Sequence, residues 1–255
     1  MNAKESRSGL RWSAALLALQ LASISAQAAV LNLSPLMLSV APGERAAGLN
    51  IGNQAQTPTT LQVRLLSWTQ DGTRNLYAPA DGWVVSPPMV VVPGNDTQLL
   101  RVIRRELANA PVEQAYRVFI DELPPADAPS GGAVRVLMRY SLPLFVEASQ
   151  PTLPDVAWTL QSCGKDWFLQ AQNRGGRHLK LLGYNIRQGE KTLARTDDGL
   201  LGYVLAGQGF RWALPDGVSA PAGDAGLTIA FKSATGDQEA PLALVRDAAG
   251  CADQS

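Results

Sequence analysis

The sequence predicts an all-β protein built as two immunoglobulin-like sandwiches. Short apolar runs recur along the chain, separated by turn signals such as Pro42-Gly43 and Asp71-Gly72, and no stretch shows a convincing long helical period. Two prolines lie close together in Gln150-Pro151-Thr152-Leu153-Pro154, where they cannot donate the hydrogen bonds of a sheet. This segment therefore predicts a linker over residues 150–154 between a first domain, 29–149, and a second, 155–255.

The N-terminus carries the pattern of a secretory signal peptide. Basic residues within the first eleven positions precede an apolar stretch from about Ala14 to Ile24, and Ala26-Gln27-Ala28 is a small-x-small cleavage pattern. We expect residues 1–28 to be removed. No later stretch is long and apolar enough to span a bilayer, so we expect an exported chain with no membrane insertion after signal cleavage.

Charge and composition argue against several classes of function. The chain has 22 basic and 22 acidic residues, and loss of residues 1–28 leaves 19 and 21, a net charge of about −2. This balance gives no reason to expect nucleic acid as a partner. His178 is the only histidine, and a single histidine argues against a metal site or a Ser-His triad. We expect it to have a turn or packing role. No cofactor and no metal are implied.

The two cysteines, Cys163 and Cys251, are expected to form one disulfide in an oxidising compartment. The bond would close the second half of the chain. In the chain-entropy model a loop of that length contributes roughly 4 kcal/mol to stability.

The sequence predicts seven strands in the first domain, which is the number in an immunoglobulin-like domain. In one of them Leu61, Val63 and Leu65 alternate with polar residues, so one face should be buried. Trp68 and Trp83 are expected to fill core or rim space. The predicted strands cover about 30–40, 46–53, 59–69, 89–92, 97–104, 114–123 and 133–147. The second, smaller sandwich is predicted from runs at 156–161, 167–173, 179–187, 202–205, 210–214, 227–232 and 241–247.

The strand over 133–147 is the segment best suited to act on another protein. Side chains alternate along a strand, so one face carries large apolar residues at every other position while the reverse face carries Arg135 and Arg139. Such a strand is either half-buried or an edge that receives a partner chain. We call the apolar face the apolar row; its residues are Val134, Val136, Met138, Tyr140 and Leu142.

The adjacent acids Asp121 and Glu122 are the one candidate for a catalytic carboxylate pair. Neighbouring residues of a strand point to opposite faces of the sheet, so these two cannot converge on one substrate. We therefore expect no catalytic residues and no enzyme.

Several motifs occur in a definite order: Ser86-Pro87-Pro88, Val91-Val92-Pro93-Gly94, Leu100-Arg101-Val102, Glu113-Gln114-Ala115-Tyr116-Arg117-Val118 and Glu122-Leu123-Pro124-Pro125. In this order and spacing the chain resembles the periplasmic chaperones of chaperone-usher pili. The resemblance covers most of the mature chain and is weaker in the second half, where Asn173-x-Gly175 carries it. It implies two immunoglobulin-like domains in an L or boomerang, a periplasmic location, and pilin subunits and an outer-membrane usher as partners.

The resemblance also implies a role for the apolar row. Chaperones of this family lend the last strand of the first domain to a pilin whose own fold lacks one, so the row would be the pilin-binding donor strand. Burial of each large apolar side chain gains about 1.5–3 kcal/mol before ordering costs, which sums over the row to on the order of 10 kcal/mol.

The charged anchors of the family are missing here. Family members usually hold the carboxylate of the pilin C-terminus with an Arg on the first strand and a Lys near the end of the donor strand, where this chain has Met37 and Pro143. A carboxylate in a partly buried cleft needs a cation or several N–H donors, so we expect Arg117 first and Arg101 second as replacements. For either arginine the alternative is a surface or interdomain ion pair.

The run from Tyr140 to Val146, followed by Glu147 in place of a basic residue, resembles the archaic or alternate branch of the family. An alternative function of a different class is a secreted adhesin or carbohydrate-binding module. In that case Trp158, Trp167 and Trp212 would be stacking platforms, although core packing explains these tryptophans more simply.

Overall fold

The computed structural model describes residues 31–107, 110–125, 136–196 and 199–246. Within these ranges the chain forms eighteen β-strands and no helix, so the all-β prediction is confirmed. No helix long and apolar enough to cross a membrane occurs among them. The predicted signal peptide, Val134 of the apolar row and Cys251 of the predicted disulfide lie outside the described residues.

The first domain is a sandwich of two sheets. Its strands are β1 (Leu31–Ser34), β2 (Leu38–Val40), β3 (Ala46–Asn53), β4 (Thr59–Gln70), β5 (Asn75–Pro79), β6 (Trp83–Ser86), β7 (Met89–Val92), β8 (Asp96–Arg104), β9 (Gln114–Leu123) and β10 (Arg139–Val146). One sheet has the order β1-β3-β8-β6 and the other β2-β10-β9-β4-β5, with β7 also paired to β4. Leu61, Val63 and Leu65 are buried between the sheets, as their alternation predicts.

In the first domain, the structure differs from the predicted strands in three places. The single strand predicted over 30–40 is two strands, because Pro35 has no N–H with which to continue the ladder; β1 pairs with β3 in one sheet and β2 with β10 in the other. Strands β5 and β6 were absent from the prediction, since turn signals interrupt their short sequences. The strand predicted over 133–147 is assigned only from Arg139, where its continuous pairing with β9 begins.

The second domain is also a β-sandwich. Its strands are β11 (Val156–Cys163), β12 (Asp166–Asn173), β13 (Leu179–Gln188), β14 (Lys191–Arg195), β15 (Gly202–Val204), β16 (Gly209–Ala213), β17 (Leu227–Ser233) and β18 (Gly236–Val245). Strand β18 pairs with β17 up to Pro241 and with β11 from Leu242 onward, so it passes from one sheet to the other. Leu160, Leu181 and Ile229 are fully buried between the two layers. Cys163 is disulfide-bonded.

The two domains meet in an aromatic cluster. Trp68 and Phe145 of the first domain pack against Tyr203 and Leu205 of the second, and all four are buried. The Gln70 side chain links the backbones of the two domains: its amide nitrogen donates to the Tyr203 carbonyl at 2.8 Å and its oxygen accepts from the Leu205 N–H at 3.0 Å. The interface therefore combines apolar packing with hydrogen bonds made by both polar atoms of the Gln70 amide.

His178 has the packing role that the sequence predicts. Its ring stacks on Phe145 with 3.7 Å between centroids and 9° between planes, and its Nδ1 lies 2.6 Å from a carboxylate oxygen of Glu113. Arg177 bonds to Glu147 at 3.3 Å across the same junction. Glu113 directly precedes β9 and Glu147 directly follows β10, so these contacts attach the second domain to both strands of the β9–β10 hairpin.

The buried and exposed parts of the last strand of the first domain should respond differently to truncation. Leu144 is fully buried, whereas Val136 is 66% exposed. We expect Leu144→Ala to lower the free energy of unfolding by about 2–5 kcal/mol, because it leaves a cavity. Val136→Ala should change it by about 0.5 kcal/mol or less. Denaturant unfolding of both variants measures the difference, and equal losses would contradict this division of the strand.

Candidate functional site

The most unusual feature of the first domain is a strand with one side unpaired over half its length. Strand β10 pairs with β9 from Arg139 to Val146. On its other side it pairs with β2 only from Leu144 to Val146. Among the described residues, no strand pairs with the stretch 139–143 on that side. We call this side of the chain, from Leu137 just before β10 to Pro143 within it, the free edge.

The hydrogen-bond pattern shows which backbone groups the free edge presents. The N–H of Glu122 donates to the carbonyl of Met138 at 3.0 Å, so the backbone groups of Met138 face β9. Because bonded positions alternate along an antiparallel ladder, those of Leu137, Arg139 and Ser141 face away from β9. Pro143 has no N–H, so the row of free donors ends at Ser141.

The structure divides the apolar row into an exposed part and a buried part. Val136 and Met138 are 66% and 43% exposed, Tyr140 is half-buried, and Leu142 is buried in the first-domain core. By alternation, the members of the row that the structure describes, from Val136 to Leu142, face the same side as the core residues Leu144 and Val146. Where the chain extends beyond the sandwich, the opposite sheet no longer covers it, and the side chains are left in solvent.

The carboxylates of Asp121 and Glu122 lie on opposite faces of β9, as expected. Asp121 accepts hydrogen bonds from Arg64, at 2.7 Å, and from Arg139. Burial by itself would raise the pKa of the Asp121 carboxyl, but the hydrogen bonds and charges of Arg139 and Arg64 outweigh it and lower that pKa. Glu122 accepts from the N–H of Met138 and the hydroxyl of Tyr140, both at 3.4 Å.

Arg117 lies on β9 directly opposite Pro143, the position at which the family cation is missing. Its guanidinium carbon is 3.9 Å from the centre of the Trp68 ring and 5.4 Å from that of Tyr203. Its Nε is buried without a hydrogen-bond partner. In the described ranges no carboxylate lies within 4 Å of this guanidinium, since none of the ion pairs found there includes it.

Burial lowers the pKa of Arg117 from its ordinary value, with Tyr77 and Tyr203 acting in the opposite direction. Arginine nevertheless stays protonated in proteins. The site therefore holds a partly desolvated cation at the junction of the two domains, opposite Pro143, where the free edge ends.

The structure does not bring Arg101 to this site. Leu100 and Val102, its neighbours on β8, are buried in the core, so Arg101 points outward from the sheet β1-β3-β8-β6. Arg117 points outward from the opposite sheet. The two arginines therefore lie on opposite faces of the sandwich, and only Arg117 adjoins the free edge. Met37 is 45% exposed and Pro143 is buried.

Two aromatic residues contact Arg117 that the sequence alone does not place at this site. The sequence predicts only a core or rim position for Trp68 and no role for Tyr203. Trp68 comes beside Arg117 because β4 pairs with β9 within the first domain, whereas Tyr203 reaches it only when the two domains pack. Neither contact is marked in the local sequence.

The tryptophans proposed as stacking platforms pack inward. Trp158 is 3% exposed in the second core, and Trp167 and Trp212 are half-buried against the same core. In the described part of the chain, no group of three or more His, Cys, Asp or Glu is placed to hold a metal ion.

Comparison with known proteins agrees with this geometry. Residues 30–151 match the family described as "Pili and flagellar-assembly chaperone, PapD N-terminal domain". No curated protein matches the chain.

Similar solved structures cover both domains. A chain of the CsuC-CsuE chaperone-tip adhesion subunit complex of archaic Csu pili from Acinetobacter baumannii is 20% identical, with a TM-score of 0.67 over 84% of this chain and 99% of that one. The Escherichia coli chaperone DraB is 22% identical, with a TM-score of 0.57 over 85% and 98%. A chain of the Salmonella enterica SafA pilin complex with the SafB chaperone is 16% identical, with a TM-score of 0.59 over 85% and 98%.

Two immunoglobulin-like domains with a free strand edge beside their junction agree with the predicted resemblance to pilus-assembly chaperones. The family match states the same for the first domain from its sequence: residues 30–151 belong to the PapD N-terminal domain family of pili and flagellar-assembly chaperones. The predicted fold class and family are thereby confirmed.

The two arginines around Asp121 give its contribution to stability a defined pH dependence. The folded pKa of Asp121 is lower than its ordinary value. Its stabilising effect is therefore complete above the ordinary Asp range, near pKa 3.9, and is lost as the pH falls through that range toward the folded pKa. We expect Asp121→Asn to cost about 1 kcal/mol at pH 7 and less at pH 3. Denaturant unfolding at both values measures this, and a constant difference would contradict it.

Proposed function

We propose that this protein is a periplasmic, non-enzymatic chaperone that binds a pilin subunit along the free edge and delivers it to an outer-membrane usher. The observation that carries the proposal is the apolar row leaving the sandwich on a strand with one side unpaired. A β-strand of a partner can add to such an edge, taking register from the backbone and specificity from alternate side chains. The predicted signal peptide supports export to the periplasm.

The proposed contact uses fewer side chains than the whole apolar row. Val136 and Met138 are the exposed members, and their burial in a pilin would gain about 3–6 kcal/mol before ordering costs. Leu142 serves the core of the chaperone itself, and Tyr140 is partly covered. Backbone hydrogen bonds from Leu137, Arg139 and Ser141 would add direction and register, at about 0.5–1.5 kcal/mol each.

Arg117 is proposed as the anchor for the carboxylate at the pilin C-terminus. It lies opposite Pro143, where the free edge ends, its Nε lacks a hydrogen-bond partner, and its guanidinium carbon is 3.9 Å from the centre of the Trp68 ring. A carboxylate would supply both the missing acceptor and the missing counter-charge. Arg101, on the opposite face, is left as a surface cation. The replacement of both usual anchor positions by Met37 and Pro143 supports placing the protein in the archaic branch.

The exposed part of the apolar row offers a matched test of strand donation. Met138 and Leu137 are 43% and 44% exposed, but consecutive residues of an extended chain point to opposite sides. We expect Val136→Asp with Met138→Asp to abolish protection of a co-expressed pilin, encoded by the neighbouring gene, because charges cannot enter its apolar groove. Leu137→Asp should retain most of the protection.

The measurement is the amount of soluble pilin that co-purifies with each variant. All these side chains are exposed, so the thermal unfolding midpoint of the free chaperone should stay near that of the wild type. Equal recovery of pilin with the wild type and the double variant would refute strand donation.

The anchor is tested by Arg117→Gln beside the control Arg101→Gln. Loss of a charge-assisted hydrogen bond costs about 1.5–3 kcal/mol, so we expect the pilin to bind roughly 10–150-fold more weakly to Arg117→Gln. Arg101→Gln should bind as the wild type does. Titration with pilin, and with pilin whose C-terminal carboxylate is amidated, measures the effect. If amidation weakens binding to Arg117→Gln as much as to the wild type, the anchor lies elsewhere.

A further inference from the structure

We propose that Asp121 and Glu122 are positioning residues that together hold the donor segment, residues 136–138, in an extended conformation before a pilin arrives. This inference rests on the proposed function. The two acids are adjacent on β9, just before its last residue, and both are buried although they are charged side chains. Their opposite orientations, which prevent them from acting on one substrate, allow them to reach both faces of the emerging strand.

On the core face, Glu122 holds the chain at the point where regular pairing ends. Its backbone N–H donates to the Met138 carbonyl at 3.0 Å, and its side chain accepts from the Met138 N–H at 3.4 Å. The same carboxylate accepts from the Tyr140 hydroxyl at 3.4 Å. Both backbone groups of Met138 are thus engaged by one residue, which extends the restraint one position beyond the first assigned pair of β10.

On the outer face, Asp121 holds the next residue of the same strand. Arg139 is its partner across the ladder and also bonds to its carboxylate through the side chain. Arg64 of β4 donates to the other carboxylate oxygen at 2.7 Å. Asp121 therefore links Arg139 of β10 to β4 as well as to β9, and this link restrains the residue that directly follows the donor segment.

The donor segment needs such restraint because it lacks other support. Val136, Leu137 and Met138 are all exposed, and the described residues provide no strand on their free side. Ordering a flexible segment on binding costs free energy, and a segment held in its bound conformation avoids that cost. The effect should fall on the association rate, because the restraint acts before contact with the pilin.

The experiment compares wild type with Glu122→Met, which keeps the size of the side chain but removes both acceptor oxygens. Glu122→Gln retains one acceptor, Asp121→Asn removes the charge on the other face, and Glu44→Gln is a control at an exposed carboxylate away from the hairpin. Amide hydrogen exchange of Met138 and Tyr140, whose backbone groups face β9, is measured in the free chaperone relative to Val118 and Ile120 in the same hairpin. Association and dissociation rates with the co-encoded pilin follow.

We expect exchange at Met138 and Tyr140 in Glu122→Met to be at least about fivefold faster, with Val118 and Ile120 unchanged. The pilin association rate should fall by about three- to tenfold with little change in dissociation. Glu122→Gln should recover part of both effects, Asp121→Asn should show a smaller effect of the same kind, and Glu44→Gln should match the wild type.

Unchanged exchange in Glu122→Met would overturn the positioning role, whether or not a pilin binds. Faster exchange with an unaltered association rate would also overturn it. Exchange that rises equally at Val118 and Ile120 indicates general destabilisation and counts against the proposal. If the exchange prediction holds but the wild type binds no pilin, the restraint is supported and the proposed function fails.

Discussion

The ladder between β9 and β10 is the constraint on which the rest of the structure depends. It runs without interruption from Arg139 to Val146, whereas the opposite side of β10 is paired only over its last three residues. One strand thus contributes to a core at one end and is available for pairing at the other. Because only β9 pairs with the stretch 139–143 of β10, the residues of β9 determine the conformation in which this stretch meets a partner.

The end of the same hairpin at Phe145 and Glu147 determines how the two domains are joined. Phe145 lies between Trp68 of the first domain and His178 and Tyr203 of the second. Glu147, where the family usually has a basic residue, accepts from Arg177 of the second domain and from the hydroxyl of Ser39. In this chain, therefore, a carboxylate at the end of the donor strand is used to bind the two domains together.

Two charged groups on β9 illustrate the difference between a satisfied and an unsatisfied ion. Asp121 is held between two arginines, and its lowered pKa reflects how strongly the fold favours its charged form. Arg117, four residues earlier on the same face, has aromatic rings on which to stack but no carboxylate partner in the described structure. A desolvated charge of this kind costs free energy unless it is paired, which makes Arg117 suited to a partner that brings its own anion.

Period-two alternation and turn signals determined the all-β class and the face on which Leu61, Val63 and Leu65 lie, because burial of one strand face constrains every second residue. The prolines of residues 150–154 indicated the division into two sandwiches, because they interrupt the strand pattern. The same alternation defined the apolar row and placed Asp121 and Glu122 on opposite faces. Alternation could not reveal where the row leaves its own core. Leu142 and Met138 are equivalent by period, yet only the extent of the opposite sheet makes one buried and the other exposed.

The environment of Arg117 was likewise decided by tertiary structure alone. The motif around it marked the residue, but Trp68 and Tyr203 lie far from it in sequence. Trp68 reaches its guanidinium through the pairing of β4 with β9, and Tyr203 only when the two domains pack. Arg101 carries the same charge and lies in an equally recognisable motif, and the sequence alone left both arginines as candidates. Their separation to opposite faces of the sandwich follows from which sheet each strand joins, a non-local property that no local pattern of residues contains.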